Sequence, residues 1–337
     1  MTALLTKKPK EKFSVGLDIG TQMIKVVKLK TAADATELAS FGIEPAEFHF
    51  TDVLKKIKQE QGIDTVNIAF SGPATVIRDI NFPRMDAAEL KQALKFEVQK
   101  HIPFPVAEVN LDGCILKDDL PDNKMLVLLA AVKKDFMDQR IKLIEYAGLK
   151  VNIIEIDSIA LTNAFNFNYS QEENLKHKVI ALLNIGAAIT NLIILEDGIP
   201  RLSRDIQVAG NNFTQKVAEV FGVDLKSAEN VKVNPAGDQY GRMMAGLEAV
   251  FTNLAGEIRT SFDYFESQSA SSVGKIFLSG GGSLFMGLKD KVASLLGIEV
   301  ECWDPLKNIK PAGALDAEKI KSIFAQLPVA VGLALRK

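Results

Sequence analysis

Asp18-Ile-Gly-Thr-Gln-Met-Ile-Lys-Val26 aligns without a gap against Asn184-Ile-Gly-Ala-Ala-Ile-Thr-Asn-Leu192. Each stretch follows an apolar run, residues 13–17 and 179–183, and each leads into another apolar run. β-Branched residues on both sides of a glycine-containing break read as a hairpin. Two such hairpins half a chain apart predict two similar domains facing each other. Gly20 and Gly186 would let the backbone curl until successive amides converge on one spot, an anion-binding nest. Thr21 and Thr190 would add hydroxyl donors, and Lys25 a charge for phosphate oxygens. Asp18 would hold the water shell of Mg²⁺. Lys25 also has a plainer reading, a solvent-facing lysine on an edge strand.

A third glycine cluster, Gly280, Gly281, Gly282 and Ser283, joins an apolar strand at 273–279 to a helical pattern carrying Leu284, Leu288, Val292 and Leu295. Glycines at such a turn let a flat adenine ring lie against the backbone, and Ser283 is placed to cap the helix. The cluster lacks the Gly-Lys-Ser/Thr ending of a Walker loop and is not a GxGxxG fingerprint. Around these turns, strand and helix patterns alternate, with another strand at 65–71, so the fold class is α/β. The clearest helix follows Pro83. Asp86 is its N-cap, Glu89 completes a capping box, and Ala87, Leu90, Leu94, Val98 and Ile102 form its apolar stripe. Pro103 and Pro105 end it. A second long helix is expected at 245–268, with Leu247, Val250, Phe251, Leu254, Ile258, Phe262 and Phe265 buried.

Composition sets the limits. The chain has 337 residues, 40 Lys+Arg against 42 Asp+Glu and a net charge of -2. That length suggests about two domains, and the near-neutral charge offers no broad attraction for nucleic acid. Cys114 and Cys302 lie too far apart for a disulfide framework or a cysteine zinc site. His49, His101 and His177 are equally scattered. Residues 1–12 read as a disordered basic arm rather than a signal peptide. No run approaches the roughly 20 apolar residues of a membrane span.

Taken together, these residues resemble the actin-like ATPase superfamily, with phosphate loops at 18–25 and 184–190 and an adenosine motif at 278–283. Within it the chain is most similar to the PilM family of cytoplasmic type IV pilus assembly proteins, related to the FtsA division proteins. The specific segment runs from Pro83-Arg84-Met85 through Glu89-Leu90 and Phe96-Glu97 to Ile102-Pro103-Phe104-Pro105, and it resembles the PilM insert subdomain. The likeness extends over residues 13–337, including Gly332-Leu-Ala-Leu335.

The resemblance implies two RNase H-like domains around a nucleotide cleft, at 13–178 and 179–318, with 319–337 returning to the first. It puts a small inserted α/β subdomain at 83–157. It implies ATP or ADP with Mg²⁺, held by Asp18, Gly20, Thr21, Gln22, Lys25, Asn184, Gly186, Ala187, Thr190, Gly210, Glu229, Lys232, Gly280, Gly281, Gly282 and Ser283. The metal falls to Asp18. The implied partner is the cytoplasmic N-terminal peptide of a PilN-like inner-membrane protein, received in a groove beside the insert. That partner would keep the protein cytoplasmic and peripheral to the inner membrane, with self-association as an option and no direct insertion.

Asn184 stands where the superfamily usually has Asp, and Ala187 and Ala188 remove polar donors. Nucleotide binding with weak or absent hydrolysis is therefore expected. Asp157 is the candidate for polarising the attacking water; its alternative role is an N-cap for the helix from Ser158. Two other functions compete: an FtsA-like filament-forming ATPase, and a small-molecule kinase. The kinase would need a carboxylate base beside an acceptor hydroxyl, and none stands out between the loops. The chain stops two residues past Leu335, with no amphipathic helix of the FtsA kind.

Overall fold

The computed structural model describes residues 12–32, 35–46, 49–313 and 315–336. Of the expected basic arm at 1–12, residues 1–11 lie outside the described residues; Lys12 opens the first strand. Both quoted stretches are hairpins, each closed by a glycine amide bonding three residues ahead: Gly20 N–H to Met23 O at 3.1 Å and Gly186 N–H to Ile189 O at 2.9 Å.

The strands up to the insert are β1 (Lys12–Ile19), β2 (Met23–Thr31), β3 (Thr36–Pro45) and β4 (Thr65–Phe70). There follow β5 (Thr75–Pro83), β6 (Val109–Leu120), β7 (Lys124–Lys133) and β8 (Lys150–Ile156). The second half supplies β9 (Val179–Ile185), β10 (Thr190–Glu196), β11 (Ile199–Ile206), β12 (Val273–Ser279) and β13 (Glu299–Cys302), and β14 (Lys310–Pro311) comes last.

The first sheet runs β14-β3-β2-β1-β4-β8 and the second β11-β10-β9-β12-β13. In each, three antiparallel strands joined by hairpins continue into two parallel ones. The sequence echo is therefore an echo of topology.

One core joins the two sheets. Val27, Leu29 and Leu38 of the first and Ile180, Leu182, Ile193 and Phe277 of the second pack with helices Asp157–Tyr169 and Pro328–Leu335. Seven of the eight residues of the last helix are buried, so its sequence, Pro-Val-Ala-Val-Gly-Leu-Ala-Leu, carries no polar stripe. Its backbone touches both neighbours. A Cβ on Gly332 would lie 1.8 Å from Ala160 O, and one on Gly16 would lie 1.9 Å from Ala330 O. Asn67 closes the helix end by donating to Leu333 O at 2.9 Å.

A third sheet, β5-β7-β6, carries helix Ala87–Glu97 on one face through Leu90 and Leu94. The expected stripe continues outside the α-helix, with Val98 in a 3₁₀ turn, Val98–Lys100, and Ile102 beyond it in the same core. The capping box forms: Asp86 accepts from the Ala88 and Glu89 amides, both at 2.8 Å, and Glu89 accepts from the Asp86 amide at 3.0 Å. The span 83–157 expected for the insert does not coincide with this sheet. β5 starts upstream at Thr75, whereas β8 pairs with β4 in the first sheet. Helix Lys134–Tyr146 also packs on the first sheet's core, through Phe136 and Ile144. Strand and helix periodicity says nothing of which edge a strand joins, and that choice is made by non-local packing. The long helix expected at 245–268 is two, Gln239–Gly246 and Glu248–Gln268, broken at Leu247. Among the described residues no helix is long and apolar enough to cross a membrane.

Candidate functional site

The β1–β2 turn, the β9–β10 turn and the loop after β12 converge on one cleft of about 560 Å³. It lies in the range of small-molecule sites, roughly 300–1,000 Å³. Asp18, Gly20, Thr21, Gln22, Lys25, Asp157, Asn184, Gly186, Ala187, Gly210, Glu229, Lys232, Gly281 and Gly282 all line it; Thr190, Gly280 and Ser283 do not.

In the first turn, Asp18 and Lys25 are cross-strand partners, and Lys25 Nζ lies 3.0 Å from Asp18 Oδ2. Their side chains are only 15% and 12% exposed, Lys25 first, so Lys25 is not a solvent-facing edge lysine. Gly20 is needed for close approach: its Cβ would meet Met23 O and Lys25 Nζ, each at 2.9 Å. The Gly20 and Gly186 amides close their own turns, so neither is free to bind a ligand. Of the first turn, the residues that follow, Thr21 and Gln22, line the cleft as well. Gln22 also crosses the cleft, its Nε2 donating to Asn211 Oδ1 at 2.7 Å.

The second turn replaces the charge pair with amides. Asn184 and Asn191 occupy the positions of Asp18 and Lys25 in the echo, and Asn184 Nδ2 donates to Asn191 Oδ1 at 3.2 Å. The row extends both ways across the sheet. Ser279 Oγ donates to Asn184 Oδ1 at 3.3 Å, and Asn191 Nδ2 donates to Asp205 Oδ1 at 2.8 Å. The other Asp205 oxygen accepts from the Gly72 amide at 2.7 Å, tying β11 to the loop before the third sheet. Thr190 does not offer its hydroxyl to the cleft; it is fully buried and donates to Val208 O at 2.8 Å.

In the third turn the glycines are mainly a packing requirement. Gly280 has φ +88°, and its Cβ would fall 2.3 Å from Ile185 O; that of Gly282 would fall 2.4 Å from Ile185 Cγ2. Ser283 is not a helix cap. Its hydroxyl donates to Gly280 O at 2.7 Å, and helix Leu288–Leu296 begins after Gly287 with no side-chain cap. Leu284 sits in a short 3₁₀ turn before that helix and faces the cleft. Nearby, helix Leu225–Val233 presents Glu229 and Lys232, paired at 2.6 Å. Lys232 Nζ also donates to Thr214 Oγ1 at 2.8 Å, which holds the pair against Gly210.

Asp157 is the first residue of its helix, and Ile156, not Asp157, occupies the N-cap position. Its carboxyl turns to the cleft. Burial, and then the charges of Asp18 and Asp205, push its pKa up to about 7, against a hydrogen bond from Ser71 and the charge of Lys25. Asp157 and Asp18 face the cleft, while Asp205 stands behind Asn191 with both oxygens hydrogen-bonded. Among the described residues no group of three or more His, Cys, Asp or Glu has metal-ligating geometry. A metal here would depend on ligand oxygens as well as Asp18.

Asp205, Asn191, Ser71 and Arg140 belong to the cleft region and were missed in the sequence. Asn191 had a signal, since it is the counterpart of Lys25 in the echo. Asp205 had none, because only strand pairing brings it beside Asn191.

Two sheets that share a five-strand order, the first extended by β14, facing a cleft floored by paired hairpin turns, define an actin-like ATPase fold. A family model described as type IV pilus assembly protein PilM matches residues 16–337, and the chain belongs to that family. The solved PilM–PilN type IV pilus biogenesis complex contains a chain 26% identical, with a TM-score of 0.86 over 96% of this chain and 98% of that one. The ethanolamine utilization protein EutJ from Carboxydothermus hydrogenoformans is 13% identical, with a TM-score of 0.58 over 98% and 92% of the two chains. That second likeness is one of fold alone.

Proposed function

We propose that this chain is a nucleotide-holding scaffold of type IV pilus assembly that receives the cytoplasmic N-terminal peptide of a PilN-like inner-membrane protein. The observation that carries the reading is the match to the PilM family over residues 16–337, joined by likeness to the chain solved with PilN. It favours the assembly role over the filament and kinase readings. Such a partner would bring the protein to the inner membrane without a span of its own.

The peptide's seat is read from two edges. β6 is an edge of the third sheet and β8 an edge of the first. Asp112 and Cys114 on β6 lie near enough to Glu155 on β8 to raise its pKa or to be raised by it, after burial as the larger cause. Arg336 Nε pairs with Glu155 at 2.9 Å. An extended basic segment laid along β8 would find backbone partners on the edge and carboxylates beside it. Titration of the partner's N-terminal peptide into the full chain with ATP present tests this. Saturable binding is expected, and no binding would overturn it.

ATP or ADP with Mg²⁺ is proposed for the cleft, the phosphates at the two turns and Asp18 toward the metal, with Glu229, Lys232 and Gly281 at the nucleoside end. Bound Mg²⁺ would neutralise phosphate charge. Asp157, near neutral pH, is the residue able to take a proton from water. The second turn brings an amide, Asn184, where a carboxylate would help hold the metal, so hydrolysis is slow. Turnover measured for the wild type decides the point; brisk hydrolysis would refute it.

A further inference from the structure

Three cationic side chains line the cleft among the described residues, and two are neutralised within the protein. Lys25 pairs with Asp18 at 3.0 Å and Lys232 with Glu229 at 2.6 Å. The third, Arg140, forms no ion pair among the described residues. Its guanidinium lies over the rings of Phe50 and Phe136, 5.5 and 5.9 Å from their centroids. Phe136 is in turn held edge-on against Phe70 at 5.4 Å. Asp157 is the carboxyl whose charge reaches Arg140, without closing an ion pair, and with the ring contacts it offsets the cost of burying the guanidinium only in part. Holding it rigid and unpaired suits a cation that meets its anion only when a ligand arrives.

Position along the cleft narrows that anion. Glu229 also faces an adjoining cavity, with Gln22 and Asn230, that neither Arg140 nor Asp157 lines. Arg140 and Ser71 lie beside Asp157, whose carboxyl in turn feels the charges of Asp18 and Lys25, so this group stands on the Asp18 side of the cleft. A nucleotide with its nucleoside near Lys232 and its first phosphates at the paired turns would direct its last phosphate here. Resting on the nucleotide reading above, we propose that Arg140 is the residue by which the cleft distinguishes a nucleoside triphosphate from a diphosphate. Its planar fork receives two oxygens of the terminal phosphate, which a lysine's point charge cannot match. A diphosphate ends short of it.

The test is calorimetric titration of Mg²⁺-ATP and Mg²⁺-ADP into the full chain and into Arg140→Ala and Arg140→Lys. Melting curves of the unliganded proteins check the fold. Arg140→Ala should weaken ATP binding by roughly ten- to a hundredfold, the worth of charge-assisted hydrogen bonds, and leave ADP within a factor of about three. Arg140→Lys should recover part of the ATP affinity at unchanged ADP affinity. Equal losses for both nucleotides, or none for either, would overturn the proposal while leaving the nucleotide reading intact. A wild type that binds neither nucleotide would remove both.

Discussion

Asp157 begins a helix without capping it, and its carboxyl is turned into a cleft shared with Asp18, where the charge of Asp205 also reaches it. Its pKa of about 7 in the folded protein, against an ordinary 3.8, has a definite consequence for stability. Between pH 4 and 7 the unfolded chain gives up this proton and the folded chain keeps it. Stability therefore falls as pH rises through that window, by at most about 4 kcal/mol from this group. Asp157→Asn should unfold at higher urea than wild type at pH 8 and match it near pH 3.5. An unchanged difference at both pH values would disprove the assignment. Asn184→Asp acts on the same space from the other side. It removes the donor to Asn191 and adds an acid, so without Mg²⁺ it should cost about 1–3 kcal/mol in urea unfolding. Asp18, Lys25 and Asn184 were legible in the sequence because a repeated turn exposes its own equivalent positions. Asp205 and Arg140 were not, since neither lies in a repeat and each reaches the cleft only through its neighbours.

Elements whose signals are local read well. The helix from Ala87 announces itself by a capping box and an apolar stripe, both properties of a few adjacent residues. The helix Pro328–Leu335 is different, because an all-apolar run carries no periodicity and its place is known only from what surrounds it. Its glycine is a point of backbone contact. Gly332→Ala would drive a methyl to 1.8 Å from Ala160 O, and the helix cannot withdraw without opening the core shared by both sheets. A loss of more than about 3 kcal/mol, or failure to fold, is expected in thermal unfolding. A variant melting with wild type would show that the two helices slide freely. In the sequence, the glycines at 280 and 282 offer room for an adenine ring. Their tight contacts with Ile185 make them first a condition for joining β12 to β9.

At the scale of the molecule, two halves meet through a shared core and through polar bridges at the cleft, Gln22 to Asn211 and Gly72 to Asp205. A ligand touching both turns adds to those bridges. ATP with Mg²⁺ at about a hundred times its Kd should raise folding stability by about 2.7 kcal/mol, read as an upward shift in melting temperature that grows with concentration. No shift at any concentration would count against a nucleotide in the cleft. The strands of the third sheet differ from the span expected for the insert, because β8 is close to β7 in sequence yet completes the first sheet.

The sequence by itself determined the duplication, and with it the α/β class, the paired turns and the family, because equivalent residues in equivalent turns need no folding to be compared. It also determined the capped helix of the insert, since caps and stripes act over one or two turns. Only the tertiary structure decided which side chains meet: that Lys25 is held by Asp18, that Thr190 faces inward, that Asp205 backs Asn191 and that Arg140 joins the cleft. Those outcomes depend on strand order and on distances between residues far apart in the chain. Burial and charge act through space, and a sequence records neither.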